Sequence, residues 1–110
     1  MKAEIFHQGY WINCSESHLI KKIINEALDH SFCIIGMLQH NFTPHGFTCV
    51  WLLAESHLAV HSFPEENKCY IELSSCSSPK SSDFWKIFFK KCEIELISIE
   101  EGVEFNEKQY

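Results

Sequence analysis

Residues 56–76 read SHLAVHSFPEENKCYIELSSC, and the fold turns on how this stretch is parsed. Ser56 to Phe63 and Cys69 to Cys76 are apolar runs rich in β-branched, aromatic and small residues. Between them Pro64-Glu65-Glu66-Asn67-Lys68 supplies turn formers and removes a ladder donor, so the spacing predicts an antiparallel hairpin. With the turn centred near Glu66, positions whose numbers sum to about 132 face each other, which sets Ser56 against Cys76. Opposed residues share a sheet face with Cα atoms about 4.5 to 5.5 Å apart, so a hydroxyl and a thiol would meet there. A slip of one residue places Ser75 opposite Ser56 instead.

Working outward, Phe47 to Ala54 predicts the preceding strand, and Thr43-Pro44-His45-Gly46 the turn that leads into it. Phe32 to Phe42 and Ala3 to Ile12 read as further strands. Between those two, Ser15-Glu16-Ser17 offers N-caps for a helix reaching about Asp29. Leu19, Ile20, Ile23, Ile24, Ala27 and Leu28 form its apolar stripe. On the other side, Ser77 to Ser82 leads into a second helix capped by Ser82, with Phe84, Ile87 and Phe88 turned inward. Glu93 to Ile99 closes the set as a strand. Helices set between antiparallel hairpins predict an α+β fold: a two-layer α/β sandwich, its antiparallel sheet carrying two helices packed on one face.

The chain has 110 residues, the size of one domain spanning 1–110. Its composition, 45% hydrophobic and 14% aromatic, suits a packed core. A chain this short buries a limited core, which favours association with a second copy. The net charge of −6 argues against nucleic acid as a partner and suits a cationic small molecule. No apolar run is long enough to span a membrane. Met1-Lys2-Ala3-Glu4-Ile5 lacks the features of a secretory signal, which points to the cytoplasm and to six free cysteines rather than a disulfide framework. A zinc site built on His57 and His61 is disfavoured, because they stand more than about 13 Å apart along an extended strand.

The run Ala54-Glu55-Ser56-His57-Leu58-Ala59-Val60-His61 carries a further signal. Downstream follow Phe63-Pro64-Glu65 and Cys76; upstream stand His40, Phe42, Pro44 and Gly46. This ordered set, over roughly residues 40 to 77, resembles the self-cleavage region of the prokaryotic S-adenosylmethionine decarboxylase proenzymes, a pyruvoyl-dependent family. The resemblance implies the α+β sandwich already predicted and a chain that cuts itself between Glu55 and Ser56, into residues 1–55 and 56–110.

What the resemblance implies for each residue is specific. The Ser56 hydroxyl would attack the Glu55 carbonyl to give an ester. β-Elimination and hydrolysis would then leave a covalent pyruvoyl group at position 56, with no metal and no pyridoxal phosphate. That ketone would form a Schiff base with the substrate amine and accept the electrons freed as CO₂ leaves. His61 matches the processing base, a role suited to imidazole near neutral pH. Ser56 and His61 are separated by an odd number of positions, so a regular strand puts them on opposite faces; a bulge, or a bend at Ser56, is expected to reconcile them. Cys76 matches the proton donor to the carbanion. Thr48 stands where the family usually has a serine assisting the rearrangement. Phe42 matches the aromatic platform for adenine. Glu65 and Glu72 match acidic positions, with Glu65 placed to help bind a cationic substrate.

The implied activity is decarboxylation of S-adenosylmethionine for spermidine biosynthesis, by a homodimer of processed protomers whose sites draw on both chains. Two alternatives stand beside it. One is a homologous pyruvoyl-dependent arginine or ornithine decarboxylase, which keeps Ser56, His61 and Cys76 but needs no adenine platform. The other is a non-processing regulatory or binding paralogue.

Overall fold

A computed structural model describes residues 3–102. In chain order the elements are β1 (Phe6–Ile12), α1 (Ser17–Asp29), β2 (Ile34–Asn41), β3 (Phe47–Leu53), β4 (Ser56–Phe63), β5 (Lys68–Ser75), α2 (Ser78–Ile94) and β6 (Ile99–Glu101). The strands form one sheet in the order β2-β3-β4-β5-β1-β6, with every pair antiparallel. Both helices cover the same face, as the α+β sandwich predicted.

Alternation in the strands decides which face is covered. In β5 every second residue from Cys69 to Ser75 is buried, and in β3 Phe47, Cys49, Trp51 and Leu53 are. These meet Ile20, Ile23, Ile24, Ala27 and Leu28 of α1 and Phe84, Trp85, Phe88 and Cys92 of α2. Trp51, Phe84 and Phe88 are among the largest fully buried side chains, each contributing about 1.5–3 kcal/mol of burial. The Trp51 indole N–H is satisfied by Asn25 Oδ1 of α1 at 2.8 Å, which ties helix to sheet.

α1 obeys its predicted stripe. Its cap is Glu16, whose carboxylate accepts from the N–H groups of His18 and Leu19 and complements the positive end of the helix dipole. α2 departs from expectation at both ends. It starts four residues before the predicted cap: Ser77, not Ser82, caps it by accepting from the Lys80 N–H, and Pro79 sits in the first turn, where its missing donor costs nothing. It also continues to Ile94, taking in Glu93 and Ile94, the first two residues of the strand predicted over Glu93 to Ile99. The helix ends in a Schellman motif: Ile97 N–H donates to Cys92 O at 2.8 Å and Leu96 N–H to Glu93 O at 3.1 Å. Leu96 takes the left-handed position with φ 60, where glycine is usual, so the stop signal is missing from the sequence. The last strand is therefore the short Ile99–Glu101 segment.

Among the described residues no helix covers the other sheet face. Alternation places His7, Gly9 and Trp11 of β1, Tyr70, Glu72 and Ser74 of β5, and His57, Ala59 and His61 of β4 on it. Thr48, Val50 and Leu52 of β3 and Leu38 and His40 of β2 complete it. Tyr70 lies over Gly9 so closely that a Cβ there would collide with its hydroxyl. Leu38, Leu52 and Phe63 leave large apolar surfaces exposed.

Candidate active site

The β4–β5 hairpin has its turn where predicted and its register one residue off. A single 3-10 turn at Pro64–Glu66 and a left-handed Asn67 (φ 52) fill a four-residue loop between the paired Phe63 and Lys68. A loop with an even number of residues has its centre between residues, so Ser56 pairs with Ser75, not with Cys76. Cys76 lies one position past the end of β5 and is exposed.

Cys76 nevertheless approaches the cleavage region. Ala54 and Glu55 form a two-residue connection between Leu53 and Ser56, which are paired. The Cys76 thiol donates to Glu55 Oε1 at 3.6 Å. Glu55 has φ 56, a left-handed conformation that costs a non-glycine residue on the order of 1 kcal/mol. Ser56 follows it directly and is 8% exposed. Its Oγ is buried and has no hydrogen-bond partner among the described residues. The neighbouring Ser75 differs: its Oγ donates to Ser77 O and accepts from Ser77 N–H. Of two buried hydroxyls side by side, only that of Ser56 is unengaged.

The other predicted residues gather at the opposite end of the sheet. Thr48 pairs with His61 across β3 and β4, with Oγ1 and Nδ1 3.0 Å apart. Phe42 is half exposed beyond β2, its ring edge-on to His40 with centroids 4.7 Å apart. Glu65 bonds His45 Nε2 at 2.9 Å, closing the turn region. A cavity of about 340 Å³ opens here, lined in part by Phe42, Pro44, His45 and Phe47.

Ser56 and His61 therefore do not meet within one chain. β4 keeps unbroken register with both neighbours from Ser56 onward, so the bulge expected to reconcile them is absent. They lie roughly 16 Å apart along the strand and on opposite faces.

A polar group that sequence reading passed over lies nearer Cys76, on the open face. His7 Nδ1 bonds Ser74 Oγ, and its Nε2 lies 3.6 Å from Glu72 Oε2. Only the β1–β5 register brings these residues together, so no local motif announces them.

The cysteines divide by burial. All six are unpaired. Desolvation pushes the thiols of Cys69 and Cys92 up to about 12, reinforced by nearby Cys14, and it raises that of Cys49. These are inert core thiols. Among the described residues no three His, Cys, Asp or Glu side chains converge as a metal requires, and no helix is long and apolar enough to cross a membrane.

A protein named S-adenosylmethionine decarboxylase proenzyme from Clostridium botulinum is 36% identical over 85 residues, covering 72% of this chain and 71% of its own. One of the same name from Archaeoglobus fulgidus is 28% identical over 79 residues, covering 70% of each chain. The crystal structure of the adenosylmethionine decarboxylase from Aquifex aeolicus superposes with a TM-score of 0.67, over 97% of this chain and 98% of that one, at 21% identity. That likeness speaks for the fold. Residues 12–102 match the family model described as S-adenosylmethionine decarboxylase, so with nine-tenths of its described length inside that match, the chain belongs to the S-adenosylmethionine decarboxylase family.

Proposed function

We propose that this chain is a self-processing, pyruvoyl-dependent S-adenosylmethionine decarboxylase that works as a homodimer in the cytoplasm. The observation that carries the reading is the Glu55–Ser56 bond itself. A left-handed glutamate in a two-residue turn precedes a buried serine whose hydroxyl is unengaged. Strained backbone beside a free nucleophile is what an N-to-O acyl shift uses. Ser56 Oγ attacks the Glu55 carbonyl carbon, the peptide C–N bond breaks, and an ester forms. Removal of the Ser56 α-proton expels the Glu55 α-carboxylate and separates residues 1–55 from 56–110; the dehydroalanine left at position 56 tautomerises to an imine, and water converts it to the pyruvoyl ketone with release of ammonia.

The residues present fit the prosthetic group this produces, since Ser56 is the first residue of β4 and becomes a free chain end once the turn is cut. When formed, the pyruvoyl group supplies an electron sink for decarboxylation. Cys76 delivers a proton from Sγ to the carbon that loses CO₂. Phe42 offers an exposed ring face for adenine, and Glu65 a negative charge for the sulfonium.

The separation of Ser56 from His61 supports the dimer. A two-fold axis lying between two open sheet faces, perpendicular to the strands, reverses strand direction. The His61, Thr48 and Phe42 end of one protomer then meets the Ser56 and Cys76 end of the other. Leu38, Leu52 and Phe63 would be covered in such a pairing. Six unpaired cysteines suit a reducing compartment. The product serves as the aminopropyl donor for spermidine.

Intact-mass analysis with cyanoborohydride trapping tests the reading. Two fragments split at Glu55–Ser56 are expected, with the C-terminal one lacking an amino group and trapping S-adenosylmethionine. A single uncleaved mass would overturn self-processing; trapping of arginine or ornithine instead would overturn the substrate.

A further inference from the structure

We infer that Glu55 has a second role after cleavage, as the positioning residue of Cys76. The inference rests on the proposed function above, in which Cys76 is the proton donor. The two residues come from different hairpins, Glu55 from the β3–β4 turn and Cys76 from just beyond β5. The Ser56–Ser75 pair makes them neighbours, and the thiol donates to the Glu55 carboxylate at 3.6 Å. The Ser75 hydroxyl does not compete there, because it is bonded to Ser77. Two residues upstream, β3 anchors the segment, so scission leaves the Glu55 side chain attached to the sheet.

The hydrogen bond fixes the direction of the S–H bond beside residue 56. Held in this way, the thiol is set beside residue 56 to give its proton to a base formed there. That base is the substrate carbon after CO₂ leaves. The S–H bond breaks, its electron pair stays on sulfur, and the proton forms the new C–H bond. The thiolate then takes a proton from water, leaving the Glu55 carboxylate unchanged.

The test reads thiol reactivity in the full chain carrying Ser56→Ala, which cannot cleave. Iodoacetamide labelling at pH 8 is followed at Cys76, with the exposed Cys33 as internal reference. The thiolate is the reacting species. Glu55→Gln, of the same shape but neutral, is expected to raise the Cys76-to-Cys33 rate ratio about five-fold, while Glu55→Asp restores the slow rate to within about two-fold. An unchanged ratio in Glu55→Gln overturns the inference. In the cleavable chain, Glu55→Gln is expected to lower kcat with little effect on KM; a change confined to KM also overturns it. A wild-type chain that does not decarboxylate S-adenosylmethionine overturns the functional reading, while the labelling ratio still decides the Glu55–Cys76 pairing.

Discussion

Thr48 Oγ1 and His61 Nδ1 lie 3.0 Å apart across β3 and β4, at the opposite end of the sheet from the Ser56 they are proposed to serve. A hydroxyl next to an imidazole is a ready proton-handling pair, but in one chain Ser56 lies at the other end of β4 from it.

If the pair acts on the partner's Ser56, variants defective at different ends complement each other. His61→Ala and Ser56→Ala should each remain uncleaved when produced alone. Co-produced with distinguishable tags, the His61→Ala chain should be cut by the Ser56→Ala protomer's His61, and the Ser56→Ala chain should stay whole. Gel or mass analysis of the two tags checks this. Absence of any cut chain in the mixed dimer would sink the composite site.

Ser56→Ala should also stabilise the uncleaved fold. It removes a buried hydroxyl without a partner, at a site 8% exposed. Relief of an unmet hydrogen bond is worth about 1 kcal/mol, so the urea midpoint should rise relative to a chain trapped uncleaved by His61→Ala. A loss of stability would mean that the hydroxyl is engaged after all.

Leu96→Gly should raise stability by about 1 kcal/mol. Leu96 is 93% exposed and holds φ 60 in the Schellman motif, so glycine removes strain without removing packing. Thermal melts of the two chains decide it. The same substitution at Ile97, which is buried, should destabilise instead.

Alkali should unfold the protein earlier than carboxylate or histidine chemistry alone requires. Burial holds Cys69 and Cys92 near 12, above the ordinary thiol value of 9.0 that they regain when unfolded. Between those values the unfolded chain has lost protons that the folded chain keeps. Their contribution is thus complete below pH 9 and is lost as pH rises toward 12. Urea titrations at pH 8 and pH 10.5 should show the drop, and Cys92→Ala should make it shallower.

Much of the fold was legible because it is written in local periodicity. The α1 stripe, the strand alternation and the Pro64 break each follow from which side chains must leave water. Boundaries failed where two physical signals conflicted. Glu93 to Ile99 alternates like a strand, yet the preceding aromatic face of α2 carries the helix on to Ile94 and ends it with a leucine in glycine's usual place. Ser82 looked like a cap, but Ser77 precedes the proline that opens the helix.

The sequence by itself determined the chemical parts: a Glu-Ser bond, a hydroxyl and imidazole two strands' turn away, a thiol downstream, and the sandwich that carries them. Tertiary structure decided their arrangement. An even-numbered loop moved Cys76 off the Ser56 pair and onto Glu55, and an unbroken β4 kept His61 away from Ser56. Register and facing are set by how strands pair across the sheet, where one residue of slip exchanges the two faces, and no local stretch encodes that choice alone.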